Sequence, residues 1–108
     1  MLKKHIFAQF LVFASCLPAT ADFSLYTSMP TVRAEAFIEA FEQKHPEIDI
    51  TLVRAGSTRT ILSIETEAAT GDVQADVVLI ADERNMARLK RHGLLLASSQ
   101  RDVSGLPD

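Results

Sequence analysis

Three segments with the periodicity of a β-strand, each followed by a segment with the periodicity of an α-helix, limit this 108-residue chain to very few folds. The strand patterns cover residues 23–26, 48–53 and 75–80, where apolar residues alternate with polar ones or form a short run. The connections between strand and helix patterns are too short for any arrangement except a parallel α/β layer. We therefore predict an α/β fold in which three β-α units form an open parallel sheet.

The helical segments carry apolar residues at helical spacing and are bounded by residues that start or stop helices. Pro46 prevents the first helix from continuing beyond His45. Gly71 and Gly93 are suited to end the second and third helices, and Asp82 is suited to begin the third. The residues predicted to face the core are Ala34, Phe37, Ile38, Phe41, Ile61, Ile64, Ala68, Met86 and Leu89.

The third strand pattern ends in a continuous apolar run from Val77 to Ile80. Parallel strands that helices cover on both faces have such runs, whereas a strand with one solvated face alternates between apolar and polar residues. We therefore predict that this segment is a central strand of the sheet, buried on both faces.

Residues 1–21 have the features of a secretory signal peptide in the expected order. Basic residues 3–4 precede a mostly apolar segment at 6–14, and the small residues at 19–21 fit a signal peptidase site. The apolar segment is too short to remain as a membrane-spanning helix, and it lacks the polar face of an amphipathic N-terminal helix. We predict cleavage before Asp22 and a mature chain without a membrane span.

Cys16, the single cysteine, allows a second interpretation of this segment. Phe13-Ala14-Ser15-Cys16 loosely resembles the lipobox of a lipoprotein signal, although leucine is usual at the position of Phe13. If cleavage occurs before Asp22 instead, the mature chain has no cysteine, and packing alone must stabilise it.

Loss of two lysines with the signal makes the mature chain more acidic than the whole chain, whose formal net charge is −3. An acidic chain with one tyrosine and no tryptophan does not have the basic surface that nucleic-acid-binding proteins present.

Short polar residues follow each strand pattern at the point where the strand ends, in junctions 27–29, 56–58 and 81–83. In an open parallel sheet, ligands bind outside the carboxyl ends of the strands, where free helix amides favour an anion. Gly56 allows a ligand to approach the backbone closely. The predicted ligand contacts are Thr27, Ser28, Met29, Gly56, Ser57, Thr58, Asp82 and Glu83.

A purely structural role for some of these residues remains open. Ser57 and Thr58 are common helix-capping residues, and capping alone would stabilise the second helix by about 1 kcal/mol. For Asp82, the sequence favours a cap at the start of the third helix over a ligand contact, although a carboxylate there is suited to a ligand amine or a metal.

Other chemistry has little support in the sequence. The chain contains no phosphate-binding GxxxxGK[ST] loop, no GxGxxG, no HExxH and no CxxC motif. His5, His45 and His92 are widely separated, which is unlike the spacing of metal ligands, and Ser57 has no evident general base. We therefore predict no catalytic residue, no metal site and no cofactor, and we rank an enzyme below the binding functions.

Several segments in order closely resemble the start of the periplasmic solute-binding proteins of ABC transporters. They are "LYTSMP", "AEAFIEAFEQKHPEI", "ITLVRAGSTRTILSIETEAATGDVQADVVLIAD" and "MARLKRHGLLL". The likeness runs from Phe23 to Leu96, and the branch it resembles handles ferric ion, phosphonates, sugar phosphates and polyamines. It implies a two-lobed type II periplasmic binding protein of which this chain is a truncated N-terminal part. Residues 1–21 are then the signal, 22–96 the first half of lobe one, and 97–108 a frayed tail.

The resemblance implies a ligand in the cleft between two lobes, in contact with the loops after the first three strands. Those loops are the same three junctions. Ferric-ion relatives have a histidine after the first strand, whereas this chain has Thr27-Ser28-Met29-Pro30. We therefore expect a monomeric, periplasmic, non-catalytic protein that binds a small anion, a phosphonate or phosphate ester rather than ferric ion, and delivers it to an ABC permease. The alternative is a small secreted adaptor or sensing module that presents a partner surface such as its basic third helix.

Overall fold

The computed structural model describes residues 21–97, which form an α/β layer. The predicted tail lies outside these residues except for Ala97, and the predicted signal peptide lies outside except for Ala21, which begins the first strand. No helix in this described range has the length and apolar character needed to cross a bilayer. The elements are β1 (Ala21–Thr27), α1 (Thr31–Lys44), β2 (Ile48–Arg54), α2 (Ser57–Ala69), β3 (Val77–Leu79) and α3 (Glu83–Arg91).

The strands form a three-stranded sheet in the order β2-β1-β3, and both pairings are parallel. Thr27 at the end of β1 is aligned with Arg54 of β2 on one side and with Leu79 of β3 on the other. This architecture confirms the predicted fold class, three β-α units in an open parallel sheet. The carboxyl ends of all three strands therefore lie at one edge.

The prediction that the third strand is central and buried on both faces is wrong for the described part of the chain. The central strand is β1, and β3 pairs with β1 on one side only. Val77 is 46% exposed and Leu79 is 41% exposed, so their face is half open. An apolar run indicates that a strand is suited to burial, but whether the strand is buried depends on the segments that cover its faces.

The two faces of the sheet are covered by different helices. Tyr26 of β1 packs with Ile61 and Ile64 of α2 and with Leu89 of α3, and these four residues form the buried core cluster. Because side chains alternate along a strand, Leu25 points to the opposite face, where it lies close to aromatic residues of α1. The fold is therefore a sheet between two helical layers, with the tighter packing on the Tyr26 face.

The ends of the helices largely follow the sequence signals. Gly71 and Gly93 have φ values of 76° and 70°, the left-handed conformation that ends a helix. The α1 stripe is less buried than predicted, because Ala34 and Ile38 are buried but Phe37 is half exposed. Helix spacing thus identifies which residues share a face, while the width of the covering layer decides which of them lose contact with water.

Carboxylates on α2 fix the segments that follow it. Glu67 accepts a hydrogen bond from the Tyr26 hydroxyl at 2.6 Å and another from the backbone N–H of Gln74 at 2.9 Å. Glu65 accepts two hydrogen bonds from the Arg88 guanidinium, both at 2.6 Å, and lies 3.0 Å from Nδ1 of His92. Glu67 therefore holds the connection to β3 in place, and Glu65 joins α2 to α3.

The Tyr26–Glu67 contact predicts a loss of stability at alkaline pH. The hydrogen bond to Glu67, burial and the nearby negative charge raise the pKa of Tyr26 from 10.0 to about 12. Since the pKa of Tyr26 is raised in the folded state, the contribution of this contact to the free energy of unfolding is complete below pH 10. It is lost as pH rises towards 12. The stability difference between the wild type and Tyr26→Phe should therefore shrink over this pH range in urea unfolding experiments.

The single tyrosine allows a direct check on that assignment, because tyrosinate absorbance reports Tyr26 alone. Glu67→Gln retains an acceptor oxygen but removes the charge, so the midpoint of the absorbance titration should move down from about 12. An unchanged midpoint in Glu67→Gln would show that the charge of Glu67 does not contribute to the raised pKa.

Candidate functional site

The three predicted junctions, residues 27–29, 56–58 and 81–83, meet at one edge of the sheet. We call this edge, with the strand ends that lead into it, the carboxyl edge (residues 27–29, 54–58 and 79–83). The backbone N–H of Ala55 donates to the carbonyl oxygen of Thr27 at 3.1 Å. The N–H of Ser28 donates to the carbonyl oxygen of Leu79 at 3.3 Å. These bonds continue the strand pairing beyond the sheet, so the structure brings together all three loops selected from the sequence.

Thr27 lies at the centre of this edge, but its side chain faces the protein. The residue is fully buried, and its hydroxyl donates to the carbonyl oxygen of Leu79 at 2.7 Å. The Thr27 hydroxyl oxygen also accepts a hydrogen bond from the backbone N–H of Met29 at 3.1 Å. The Thr27 hydroxyl thus joins β1 to β3 and shapes the loop that carries Ser28 and Met29, which are partly exposed.

The second junction leaves the start of α2 uncapped. Gly56 is the N-cap residue, and no side chain forms a capping hydrogen bond. The first backbone bond of the helix runs from Thr60 N–H to Gly56 C=O at 2.9 Å, so the amides of residues 57–59 precede the helical ladder. Ser57 is partly exposed and Thr58 is exposed. Neither Ser57 nor Thr58 therefore caps α2, so the structure does not support the alternative in which these residues serve as caps.

Gly56 adopts a conformation that does not require glycine. Its φ and ψ are −62° and 154°, which any residue can adopt. A Cβ atom built on Gly56 has no atom within 4 Å. The fold therefore places no steric demand for glycine here, and the glycine leaves open space beside the free amides of α2.

At the third junction, the Asp82 carboxylate forms hydrogen bonds within the first turn of α3. Asp82 is the N-cap of α3 and accepts hydrogen bonds from the backbone N–H of Asn85 at 3.2 Å and from its side-chain amide at 2.8 Å. This geometry confirms the sequence-based preference for a cap. Glu83 follows in the first turn of α3 and is exposed. Both residues lie at the carboxyl edge, where Glu83 is exposed and Asp82 is partly exposed with its carboxylate bonded to Asn85.

Arg54 is a candidate site residue that the sequence analysis did not select. It ends β2, and its Nε donates to the carbonyl oxygen of Met29 at 3.2 Å, so its guanidinium group reaches from the second junction to the first. The relevant signal is its place directly before Ala55-Gly56 at a strand end. Arg54 can be recognised as a site residue only when the pairing of β2 with β1 is known, because that register aligns Arg54 with Thr27. The sequence alone does not give this register.

The groups at the carboxyl edge are mostly hydrogen-bond donors. They comprise the amides at the start of α2, the hydroxyls of Ser57 and Thr58, and the guanidinium of Arg54. Across residues 21–97, no three or more His, Cys, Asp or Glu side chains cluster closely enough to hold a metal ion. Donors and the positive end of a helix dipole favour a negatively charged group.

Comparison with known proteins agrees with this architecture. The chain is similar to iron-bound HitA from Pseudomonas aeruginosa, a crystal structure, with a TM-score of 0.64 and 25% sequence identity over 70% of this chain. The chain spans 24% of the length of that protein. No curated protein gave a significant match. Residues 28–102 match the family described as bacterial extracellular solute-binding protein. Because this match covers more than half of the sequence, the chain belongs to the bacterial extracellular solute-binding protein family.

Proposed function

We propose that this chain forms part of the binding site for a small anionic solute in a non-catalytic, periplasmic component of an ABC importer. The observation that carries the proposal is the uncapped start of α2 at the carboxyl edge. A phosphonate or phosphate ester is the favoured solute, and the partner of the whole protein is an ABC permease. Membership of the solute-binding family supports this function over a secreted adaptor.

The amides of residues 57–59 supply the first part of the argument. Amide groups at the start of a helix need acceptors, and here neither a side chain nor a backbone carbonyl of the preceding turn supplies them. The aligned peptide dipoles place partial positive charge at the same point. An oxyanion with several acceptor oxygens satisfies both requirements, which is why phosphate groups bind at helix N-termini.

The hydroxyl groups of Ser57 and Thr58 supply the second part. Since neither residue caps α2, the fold does not explain why hydroxyl residues begin this helix. Hydroxyls in the first turn add donors beside the free amides, and the space next to Gly56 lets a ligand reach them. We assign the contacts with the oxyanion to Ser28, Met29, Gly56, Ser57 and Thr58, and we assign to Glu83 a contact with a hydroxyl or amine of the solute, while Thr27 and Asp82 hold the loops in position.

Ferric ion is the second candidate, because the similar HitA structure is iron-bound. A hard cation needs carboxylate, phenolate or similar oxygen ligands. At the carboxyl edge the exposed Glu83 carboxylate is suited to that role, whereas the backbone amides at the start of α2 are donors that do not bind a cation. The donor set supports the anion, and the relative supports iron, so the two candidates predict opposite results in one binding experiment.

The test is a thermal unfolding series on the 108-residue chain with inorganic phosphate, methylphosphonate, glucose 6-phosphate, glucose and ferric citrate. A compound at one hundred times its Kd stabilises the folded state by about 2.7 kcal/mol, which gives a clear shift in Tm. We expect stabilisation by at least one phosphorus oxyanion and none by glucose. Citrate alone controls for the ferric complex. Stabilisation by ferric ion only would establish the second candidate in place of the first.

A double variant separates the binding role from a structural one. Ser57→Ala with Thr58→Ala should weaken binding of the stabilising oxyanion about tenfold, which corresponds to one or two lost hydrogen bonds. Because these residues do not cap α2, the free energy of unfolding should change by only about 0.5 kcal/mol. Ser63→Ala with Thr66→Ala, later on the same helix, is the matched control and should leave affinity unchanged. Equal losses of affinity and stability in the first variant would support a structural role instead.

A further inference from the structure

We propose that Arg54 determines the charge specificity of the carboxyl edge and couples the first junction to the second. This inference deepens the proposed function and rests on it. It assigns to Arg54 the direct recognition of an oxyanion group of the solute through its two terminal nitrogens, while its third nitrogen, Nε, is bound to the β1–α1 loop.

The position of Arg54 is fixed by backbone pairing. It is the last residue of β2 and is aligned with Thr27, at the end of the central strand. The next residue, Ala55, donates its N–H to the carbonyl oxygen of Thr27 at 3.1 Å. Gly56 then precedes α2 as its N-cap residue, so the base of the Arg54 side chain lies three residues before the first free helix amide, that of Ser57.

The orientation of the guanidinium group follows from one contact. Nε of Arg54 donates to the carbonyl oxygen of Met29 at 3.2 Å, which draws the side chain across the edge towards the first junction. A planar guanidinium bound through Nε still has its two terminal nitrogens, the pair that binds oxyanions in a bidentate manner. The contact therefore restricts the side chain without using the recognition face.

Comparison with Arg88 shows that this arrangement differs from a structural ion pair. In Arg88 both Nε and a terminal nitrogen are bound to the Glu65 carboxylate at 2.6 Å. The Arg54 side chain forms no ion pair within residues 21–97, and it is exposed at the carboxyl edge. A cation that is restrained by a neutral carbonyl keeps its full charge for a ligand, whereas one paired to a carboxylate does not.

The competing explanation is that Arg54 only satisfies the Met29 carbonyl and otherwise points into solvent. The two explanations differ in what lysine and glutamine do at this position. A lysine keeps the charge but not the planar fork, and a glutamine loses the charge altogether. Charge recognition predicts graded losses of affinity from arginine to lysine to glutamine, whereas a role confined to the loop predicts a change in stability alone.

The experiment measures the affinity of the 108-residue chain for inorganic phosphate and methylphosphonate by isothermal titration calorimetry at two NaCl concentrations. Arg54→Gln should weaken binding about tenfold, and Arg54→Lys should lie between it and the wild type. The affinity of Arg54→Gln should also depend less on salt, because a charged contact has been removed. Arg91→Gln in the last turn of α3 is the matched loss of one positive charge and should change affinity less than about twofold.

The outcomes separate this inference from the proposed function. If the wild type binds an oxyanion and Arg54→Gln binds it equally well, the assignment of Arg54 is overturned while the anion site stands. If the wild type binds neither phosphate nor methylphosphonate, and glucose 6-phosphate does not stabilise it in the thermal unfolding series, both are overturned. Should Arg54→Gln fail to fold, Arg54→Lys decides the question: wild-type affinity together with wild-type salt dependence in that variant would overturn the bidentate role.

Discussion

Replacing Ile61 by alanine is expected to lower the free energy of unfolding by about 3 kcal/mol, the largest effect that we predict for a single substitution. Ile61 has 0% exposure and packs against Tyr26, Ile64 and Leu89, so it touches β1, α2 and α3 at once. Shortening it removes buried methyl and methylene groups and leaves a cavity that the sheet and helices cannot fully close. Urea unfolding followed by circular dichroism measures the loss.

Leu62→Ala is the matched control for Ile61→Ala. Leu62 is the next residue on the same helix and is 49% exposed, so its truncation should cost about 0.5 kcal/mol. Because alanine favours helix at least as well as leucine or isoleucine, helix propensity does not explain a difference between the two variants. Equal losses would mean that α2 does not bury the face that carries Ile61.

Local signals in the sequence were sufficient for the elements and the fold class. The glycines at 71 and 93 and the cap at Asp82 mark helix ends because each requirement is met within one turn of backbone. The alternating period of the first two strand patterns and the short connections then leave a parallel layer as the solution, and the structure confirms it. The inward residues Ile61, Ile64 and Leu89 follow from the same helical spacing.

Features that depend on pairing between distant segments were not predictable in this way. The hydroxyl of Thr27 bonds to the carbonyl oxygen of Leu79, 52 residues later, and nothing near Thr27 in the sequence indicates that contact. The open face of β3 depends on which segments lie beside it, so its apolar run was misleading. Arg54 gained its place at the site only through the register of β2 against β1.

For the candidate site, the sequence predicted that the three junctions share one edge of the sheet, but not which groups each residue bonds to. Strand ends in a parallel sheet share an edge by geometry, which is why all three junctions came together. Whether a hydroxyl or carboxylate at such an edge faces the protein or the solvent depends on local hydrogen bonding. Thr27 and Asp82 bond to the protein, whereas Ser57 and Thr58 follow a glycine cap and leave the start of α2 free.

Replacing Thr27 by valine is expected to lower the free energy of unfolding by about 2–3 kcal/mol and to weaken solute binding as well. Valine has nearly the same shape but cannot donate to Leu79 or accept from Met29. The Met29 N–H then loses its partner, and the Leu79 carbonyl oxygen keeps only the longer hydrogen bond from the Ser28 N–H. Urea unfolding measures the first effect, and calorimetry with the stabilising oxyanion measures the second. Slower hydrogen exchange at the Met29 amide in the wild type than in the variant would assign the binding loss to the loop.

Thr51→Val is the control, because Thr51 lies on β2, is exposed and can be replaced by a β-branched residue without changing strand propensity. It should change stability by about 0.5 kcal/mol or less and leave binding unaffected. If Thr27→Val loses stability but binds the oxyanion with wild-type affinity, the first junction is not part of the site, since its shape depends on the Thr27 hydroxyl. If both properties fall together while Thr51→Val retains them, one buried hydroxyl both stabilises the central strand end and positions the loop that Arg54 contacts.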